Sequence, residues 1–213
     1  MVSKKHIAVI LSKLKTFQDP SLEDEQYSTD SEVASDILWN AYLRNELSEK
    51  TIADLGAGTG ILGLGCLILG AKKVFFVEKD EKAIDILKEN IAFLEDRIDM
   101  DIKKNCEIIN KELSGFEKKV DVVIQNPPFG TKNKHADKLF LEKAFQIADI
   151  VYSLHKTSTS IFVKAISQDF DFEIKDQQEL SFPLKKTQEF HKKKIQRIEV
   201  TCFYMVKQNE QKT

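Results

Sequence analysis

Cysteine occurs only three times in the 213-residue chain, at Cys66, Cys106 and Cys202, and no two form a Cys-x-x-Cys pair. That scarcity speaks against a disulfide framework and a thiolate zinc site, so free thiols in a reducing compartment are expected. An excess of either charge is missing too, since 32 Lys and Arg stand against 34 Asp and Glu for a net charge of −2. The chain as a whole is therefore no polyanion-binding tail, and affinity for nucleic acid has to come from a local basic patch. No apolar run reaches the roughly 18 residues of a membrane-spanning helix. Lys4, Lys5 and His6 precede only a short apolar pattern, so no signal peptide is expected. The expected location is the cytoplasm, with the nucleus added in a eukaryote. Repeats and low-complexity tracts are absent as well. What remains is 42% hydrophobic and 31% charged, enough to bury a core. The length suits one domain over 1–213, made of an N-terminal helical extension (1–48) and an α/β core (49–213).

Along the chain, Ile7, Ile10, Leu11 and Leu14 recur at helical spacing and give a short amphipathic first helix. The stretch 17–29 holds Pro20 and many acids and reads as a loop. Asp30 or Ser31 caps a helix through Val33, Ile37, Leu38, Trp39 and Tyr42. Strands then follow at 51–55, 74–77, 106–109, 120–124 and 150–154. Helices at 61–69, 80–93, 139–148 and 157–170 alternate with them, and 95–104 is a polar connection. The last segments, 172–180 and 195–206, alternate as an antiparallel pair. Strands alternating with helices and a late hairpin predict a doubly wound, mostly parallel sheet.

Two motifs sit at strand ends. The first is Asp54-Leu55-Gly56-Ala57-Gly58-Thr59-Gly60, a glycine-rich turn that lets a ligand approach the main chain and opens onto the free N–H groups of a helix start. Glu78 ends the next strand, where an acid can hold both hydroxyls of a ribose. The turn also fits G-x-G-x-x-G through Gly58, Gly60 and Gly63, so at this point a nicotinamide cofactor and S-adenosylmethionine are equally open. The second motif is Asn126-Pro127-Pro128-Phe129 after the apolar run 120–124. Two prolines stop the strand abruptly and stiffen the turn. Asn126 offers a side-chain carbonyl, Pro127 a main-chain carbonyl, and Phe129 a flat apolar ring. Two acceptors and a stacking ring suit a planar group that carries an NH₂.

Together the two motifs resemble the class I S-adenosylmethionine-dependent methyltransferases. Asp54 to Gly60 looks like their first motif, and Asn126-Pro127-Pro128-Phe129 like their amino-methyltransferase motif. A dehydrogenase has no reason to carry the second. The resemblance implies a Rossmann-like fold, a seven-stranded, mostly parallel sheet with an antiparallel last strand, and an N-terminal helical extension. A closer likeness rests on four separated segments: Glu25-Gln26-Tyr27-Ser28-Thr29, Asn126 to Lys132, Tyr152 to Lys156, and Phe190 to Lys194. These resemble the methyltransferase-like five group and its archaeal relatives. Eukaryotic members of that group methylate N6 of one adenine in small-subunit ribosomal RNA, bound to a small zinc-containing activator protein shared by several methyltransferases.

The likeness implies roles residue by residue. Gln26, Tyr27 and Thr29 would close over the methionine end of S-adenosylmethionine. Asp54, Gly56, Gly58, Thr59 and Ile61 would form the glycine-loop side of its site, Glu78 would bind its ribose, and Glu112 and Leu113 would flank its adenine. S-adenosylhomocysteine would leave as product, and no metal is expected. Asn126, Pro127, Pro128 and Phe129 would be catalytic, with Phe129 stacked on the target base. Ser28 departs from the family's usual Pro, and Glu78 from a common Asp. The basic residues Lys132, His155, Lys156, His191, Lys192, Lys193 and Lys194 would contact RNA phosphates. Three other readings stay open here: guanine N2 methylation, glutamine N5 methylation of a protein, and a non-catalytic RNA- or activator-binding module of the same fold.

Overall fold

A computed structural model of the chain describes residues 3–17, 28–98, 101–129, 136–184 and 196–208. Two helices come first, α1 (Lys4–Leu11) and α2 (Ser31–Leu43). Then follow β1 (Thr51–Leu55), α3 (Ile61–Ile68), β2 (Lys73–Glu78), α4 (Glu81–Glu95), β3 (Cys106–Asn110) and β4 (Val122–Gln125). The chain continues through α5 (Ala136–Ile147), β5 (Ile150–Lys156), α6 (Ser160–Asp169), β6 (Phe172–Leu184) and β7 (Gln196–Lys207). The strands form one seven-stranded sheet in the order β3-β2-β1-β4-β5-β7-β6. β1 to β5 run parallel, β7 runs against both β5 and β6, and Pro183 is tolerated because β6 is an edge strand. This is the Rossmann-like arrangement expected from the alternation of strands and helices.

Alternating residues divide the core between the two sheet faces. Ile52, Val74, Phe76, Val122 and Ile124 face helices α1 to α4 through Ile7, Leu38, Leu64 and Leu87. Ala53, Val77, Val123, Val151 and Phe203 face α5 and α6 through Leu141, Phe145, Val163 and Ile166. No helix among the described residues is long and apolar enough to cross a membrane.

Boundaries shift where a hydrogen bond overrides the sequence pattern. Asp30 is the N-cap of α2, accepting from the N–H groups of Glu32 (3.0 Å) and Val33 (3.4 Å). β4 begins at Val122 rather than 120, because the Asp121 carboxylate accepts from both the N–H and the hydroxyl of Thr51 at 2.7 Å. β5 runs two residues past the expected 154, since pairing with β7 continues to Lys156↔Val200. The segment expected as helix 157–170 opens with a 3₁₀ turn, Thr157–Thr159, before α6.

Strand order reverses direction between β1 and β4, and in open α/β sheets the crevice beyond the strand ends at such a point is where ligands sit. The register aligns Leu55 with Val77 on one side and Gln125 on the other. The turns that follow, at Gly56, Glu78 and Asn126, therefore emerge side by side.

Candidate active site

A cleft of about 820 Å³ opens over those strand ends. Gly56, Gly58 and Glu78 line it together with Asn126 and Pro128. Glu112 and Leu113 line the same cleft beside Lys79 and Lys111, and α5 closes it with Leu139, Phe140 and Lys143. That volume lies within the roughly 300–1,000 Å³ typical of small-molecule sites.

The glycine loop is held by the strand beside it. Gly56 and Ala57 donate to the Val77 carbonyl at 2.9 and 3.1 Å, and Gly58 donates to Glu78 Oε2 at 2.8 Å. Gly58 has φ +53°, in the left-handed region that favours glycine. Glu78 Oε1 accepts from the N–H groups of Lys79 and Asp80 at 2.8 and 2.9 Å. A carboxylate offers about four acceptor sites. The three backbone donors leave one, on Oε2, toward the cleft. Glu112 pairs with Lys79 at 3.6 Å across the rim.

Asp54, Thr59 and Ile61 do not line the cleft. Asp54 is 1% exposed and accepts from the Gly63 N–H at 2.8 Å, which ties β1 to the first turn of α3. Burial lifts its carboxyl to about 7, against the opposing pull of that N–H. Gly63 has to lack a side chain, because a Cβ would lie 2.4 Å from the Phe76 ring. The side chains of these motif residues build the loop from behind.

At the end of β4 the arrangement is different. Asn126 Nδ2 donates to Thr29 Oγ1 at 3.0 Å, which fixes the amide's orientation. Its Oδ1 is buried and has no hydrogen-bond partner among the described residues. An acceptor removed from water and left unpaired costs about 1–3 kcal/mol. A group bringing an N–H would relieve it. Pro127 is buried and Pro128 half-buried. Phe129 is 9% exposed, meets Phe182 edge-on at 5.9 Å and 88°, and has Lys156 Nζ over its ring at 5.9 Å. A base reaches that face only where the Lys156 chain gives way.

His155 is a correction to the expected RNA contacts. It is 2% exposed on β5 and points into the core, where its ring meets Phe203. Gln125 Nε2 donates to Ser153 Oγ at 2.9 Å, and Ser153 Oγ lies 2.7 Å from His155 Nε2. Ser153 Oγ accepts from Gln125 and shares its second hydrogen bond with His155 Nε2, in the direction that the imidazole tautomer sets. Burial lowers the imidazole to about 3, so it is neutral at physiological pH and offers phosphates no charge. Lys156 remains at the strand end, half-buried and with no ion pair among the described residues. Gln26, Tyr27, Lys132, His191, Lys192, Lys193 and Lys194 lie outside the described residues.

The motifs did not announce two aromatic walls. Phe17 lies beside Gly58, and Phe140 beside Gly56, where an added Cβ would come within 2.8 Å of its ring. Phe17 follows a weak helical pattern and Phe140 sits in an ordinary amphipathic helix, so neither carries a local signature. Among the described residues no group of three or more His, Cys, Asp or Glu is placed to hold a metal ion.

Residues 32–180 match the model of the family described as conserved hypothetical protein 95. The chain is 39% identical to an uncharacterized protein of Methanocaldococcus jannaschii, over 97% of this chain and 95% of that one. It is 35% identical to the rRNA N(6)-adenosine-methyltransferase METTL5 of Danio rerio, over 92% and 95% of the two chains. The crystal structure of a candidate RNA methyltransferase from Pyrococcus horikoshii superimposes with a TM-score of 0.87 at 41% identity, covering 97% of this chain and 98% of that one.

Proposed function

The chain belongs to the METTL5 group of class I S-adenosylmethionine-dependent methyltransferases, and on that premise we propose that it methylates N6 of an adenosine in small-subunit ribosomal RNA. The observation that carries this reading is the buried Asn126 Oδ1, unpartnered among the described residues, beside the cleft of Gly58 and Glu78. An acceptor without a donor fits an amino group, and the cleft next to it fits an adenosine-bearing methyl donor.

In this reading Glu78 Oε2 accepts from a ribose hydroxyl with its remaining lone pair. Leu113 and Phe140 give the apolar walls that flank the adenine, and Glu112 stands at its rim. Gln26, Tyr27 and Thr29 cover the methionine end. The cofactor supplies, when bound, a methyl group on a sulfonium that is already strongly electrophilic. The protein has to present a poor nucleophile, because the lone pair of an exocyclic amine is delocalised into the purine ring. Asn126 Oδ1 and the Pro127 carbonyl hold the two amine hydrogens. That placement turns the nitrogen lone pair toward the methyl carbon and favours a more tetrahedral nitrogen. Transfer of that methyl group to the nitrogen held by Asn126 and Pro127 would leave S-adenosylhomocysteine, a neutral thioether, as the second product. The nitrogen becomes cationic, and one of its protons then passes to water. No general base is needed for a proton lost after the bond is made.

A base taken from a folded RNA leaves its stack at a cost of a few kcal/mol. Phe129 offsets part of that cost once Lys156 swings from its face to a phosphate. Lys132, His191, Lys192, Lys193 and Lys194 supply further phosphate contacts. The reading takes 1–213 as one catalytic domain, because Ile7 and Leu11 of the N-terminal extension share a core with Leu38 and Leu64. It includes a heterodimer with a small zinc-containing activator, and a cytoplasmic location. Pull-down of such a subunit with the full chain tests the heterodimer.

Mass spectrometry of nucleosides from ribosomal RNA, with and without the protein, tests the target. N6-methyladenosine should drop by one residue per small subunit when the gene is removed. An unchanged level, or loss of N2-methylguanosine or of a methylated protein instead, overturns the assignment.

A further inference from the structure

Asn90 is the one polar side chain on the buried stripe of α4, between Leu87, Ile91 and Leu94, and is itself 1% exposed. It uses both ends of its amide. Oδ1 accepts from the Lys15 N–H at 2.7 Å, and Nδ2 donates to the Lys15 carbonyl at 3.0 Å. The same Nδ2 donates its second hydrogen to the Thr59 carbonyl at 2.9 Å. Three segments meet in this one group: the chain leaving α1, the glycine loop, and α4. A side-chain amide that pairs with both polar groups of one residue reads the backbone as a neighbouring strand would, and leaves that residue no freedom to rotate.

The consequence falls two residues further on. Phe17 lines the cleft, with its ring 3.5 Å from where a Gly58 Cβ would lie. Thr59 is the next residue after Gly58, so Asn90 grips both sides of the contact, the loop at 59 and the strap at 15. Lys15 Nζ adds an exposed ion pair to Glu89 at 2.9 Å, of small weight.

We infer that Asn90 is a positioning residue for the cofactor cleft, holding the segment after α1 so that Phe17 forms a wall against the glycine loop. This rests on the reading of the cleft as the S-adenosylmethionine site. Asn90 touches no reacting atom. Its effect passes through Phe17, so it should appear in cofactor affinity rather than in the transfer step. Asn90→Asp keeps the side chain's shape but, ionised or neutral, removes at least one of the two N–H donors, so a carbonyl at 15 or 59 loses its partner and the clamp loosens.

Calorimetry with S-adenosylmethionine on the full chain tests this. Asn90→Asp and Phe17→Ala should each raise Kd about tenfold, and the double variant should be no weaker than the worse single one, since residues acting through one contact are not additive. A core residue unrelated to the cleft gives either an unchanged Kd or effects that multiply, and either result overturns the inference. Should Asn90→Asp fail to fold, hydrogen exchange on the unaltered protein decides. The cofactor should slow exchange across residues 13–17 several-fold, and no slowing overturns the inference. An unaltered protein that binds no S-adenosylmethionine at all removes the reading of the cleft itself, and the role of Asn90 with it.

Discussion

The two halves of the cleft treat their polar groups in opposite ways. Around β1 and β2 four main-chain donors of the glycine turn and helix start have acceptors on the strands beside them. Gly56 and Ala57 use Val77, Gly58 uses Glu78, and Gly63 uses Asp54. At the end of β4, Asn126 is tied down by its nitrogen and left open at its oxygen. One side has its glycine turn braced before any ligand arrives, and the other has a buried gap in its hydrogen bonding. Braced loops recognise a ligand by shape, whereas an unmet acceptor selects a chemistry. That contrast supports the proposed reading, with the methyl donor on the first side and the reacting amine on the second.

The largest break in the contrast comes from the open acceptor. Asn126→Ala should lower kcat by at least about a hundredfold, the scale seen when one preorganised polar group is taken from a reacting centre. Cofactor Kd should stay within about twofold. Near-normal turnover in single-turnover assays would remove Asn126 from the reaction. On the braced side, Glu78→Gln sets an amide donor against backbone donors. Its cost of roughly 1–3 kcal/mol should appear as a cofactor Kd about tenfold weaker, with kcat at saturation little changed. Thr29→Val sharpens the comparison by freeing the Asn126 amide without removing it. A fall in kcat of about three- to tenfold with Kd intact is expected, in line with the ~1 kcal/mol of one hydrogen bond.

The smallest expected effect concerns His155. Its folded-state value of about 3 lies below the ordinary 6.5, so the stabilisation from a neutral buried imidazole is complete above 6.5 and is lost as pH falls toward 3. His155→Gln lacks that loss. Its deficit in Tm against the parent protein should therefore narrow as pH drops from 7 to about 4, by a few degrees in scanning calorimetry. RNA affinity should be the same in both.

What could be read from the chain follows from how local each signal is. Gly56, Gly58 and Asn126-Pro127-Pro128-Phe129 carry their meaning in adjacent residues, because strand-to-loop turns need those residue types in sequence. The parallel sheet was legible for the same reason, since buried strands are continuous apolar runs. His155 misled because a basic residue beside a lysine looks like a surface patch. The alternation along β5 turns one inward and leaves the other at the rim. Asp54, Thr59 and Ile61 belong to the glycine motif, yet they face the packing behind it. Lys15 and Asn90 meet across 75 positions of chain, and only the fold makes them neighbours. A hint was present for Asn90, a lone amide in an otherwise apolar helical stripe.

The strand order has a consequence for synthesis on the ribosome. β7 is the last strand to emerge, yet it lies between β5 and β6 rather than at the margin. Until residues 196–207 have left the exit tunnel, β5 keeps a bare edge and β6 has no strand to join. A nascent chain halted at Leu184 thus exposes two unpaired strand edges, a state prone to association with its neighbours. Completion of the sheet beyond β5 therefore waits for residues 196–207, which bridge β5 and β6.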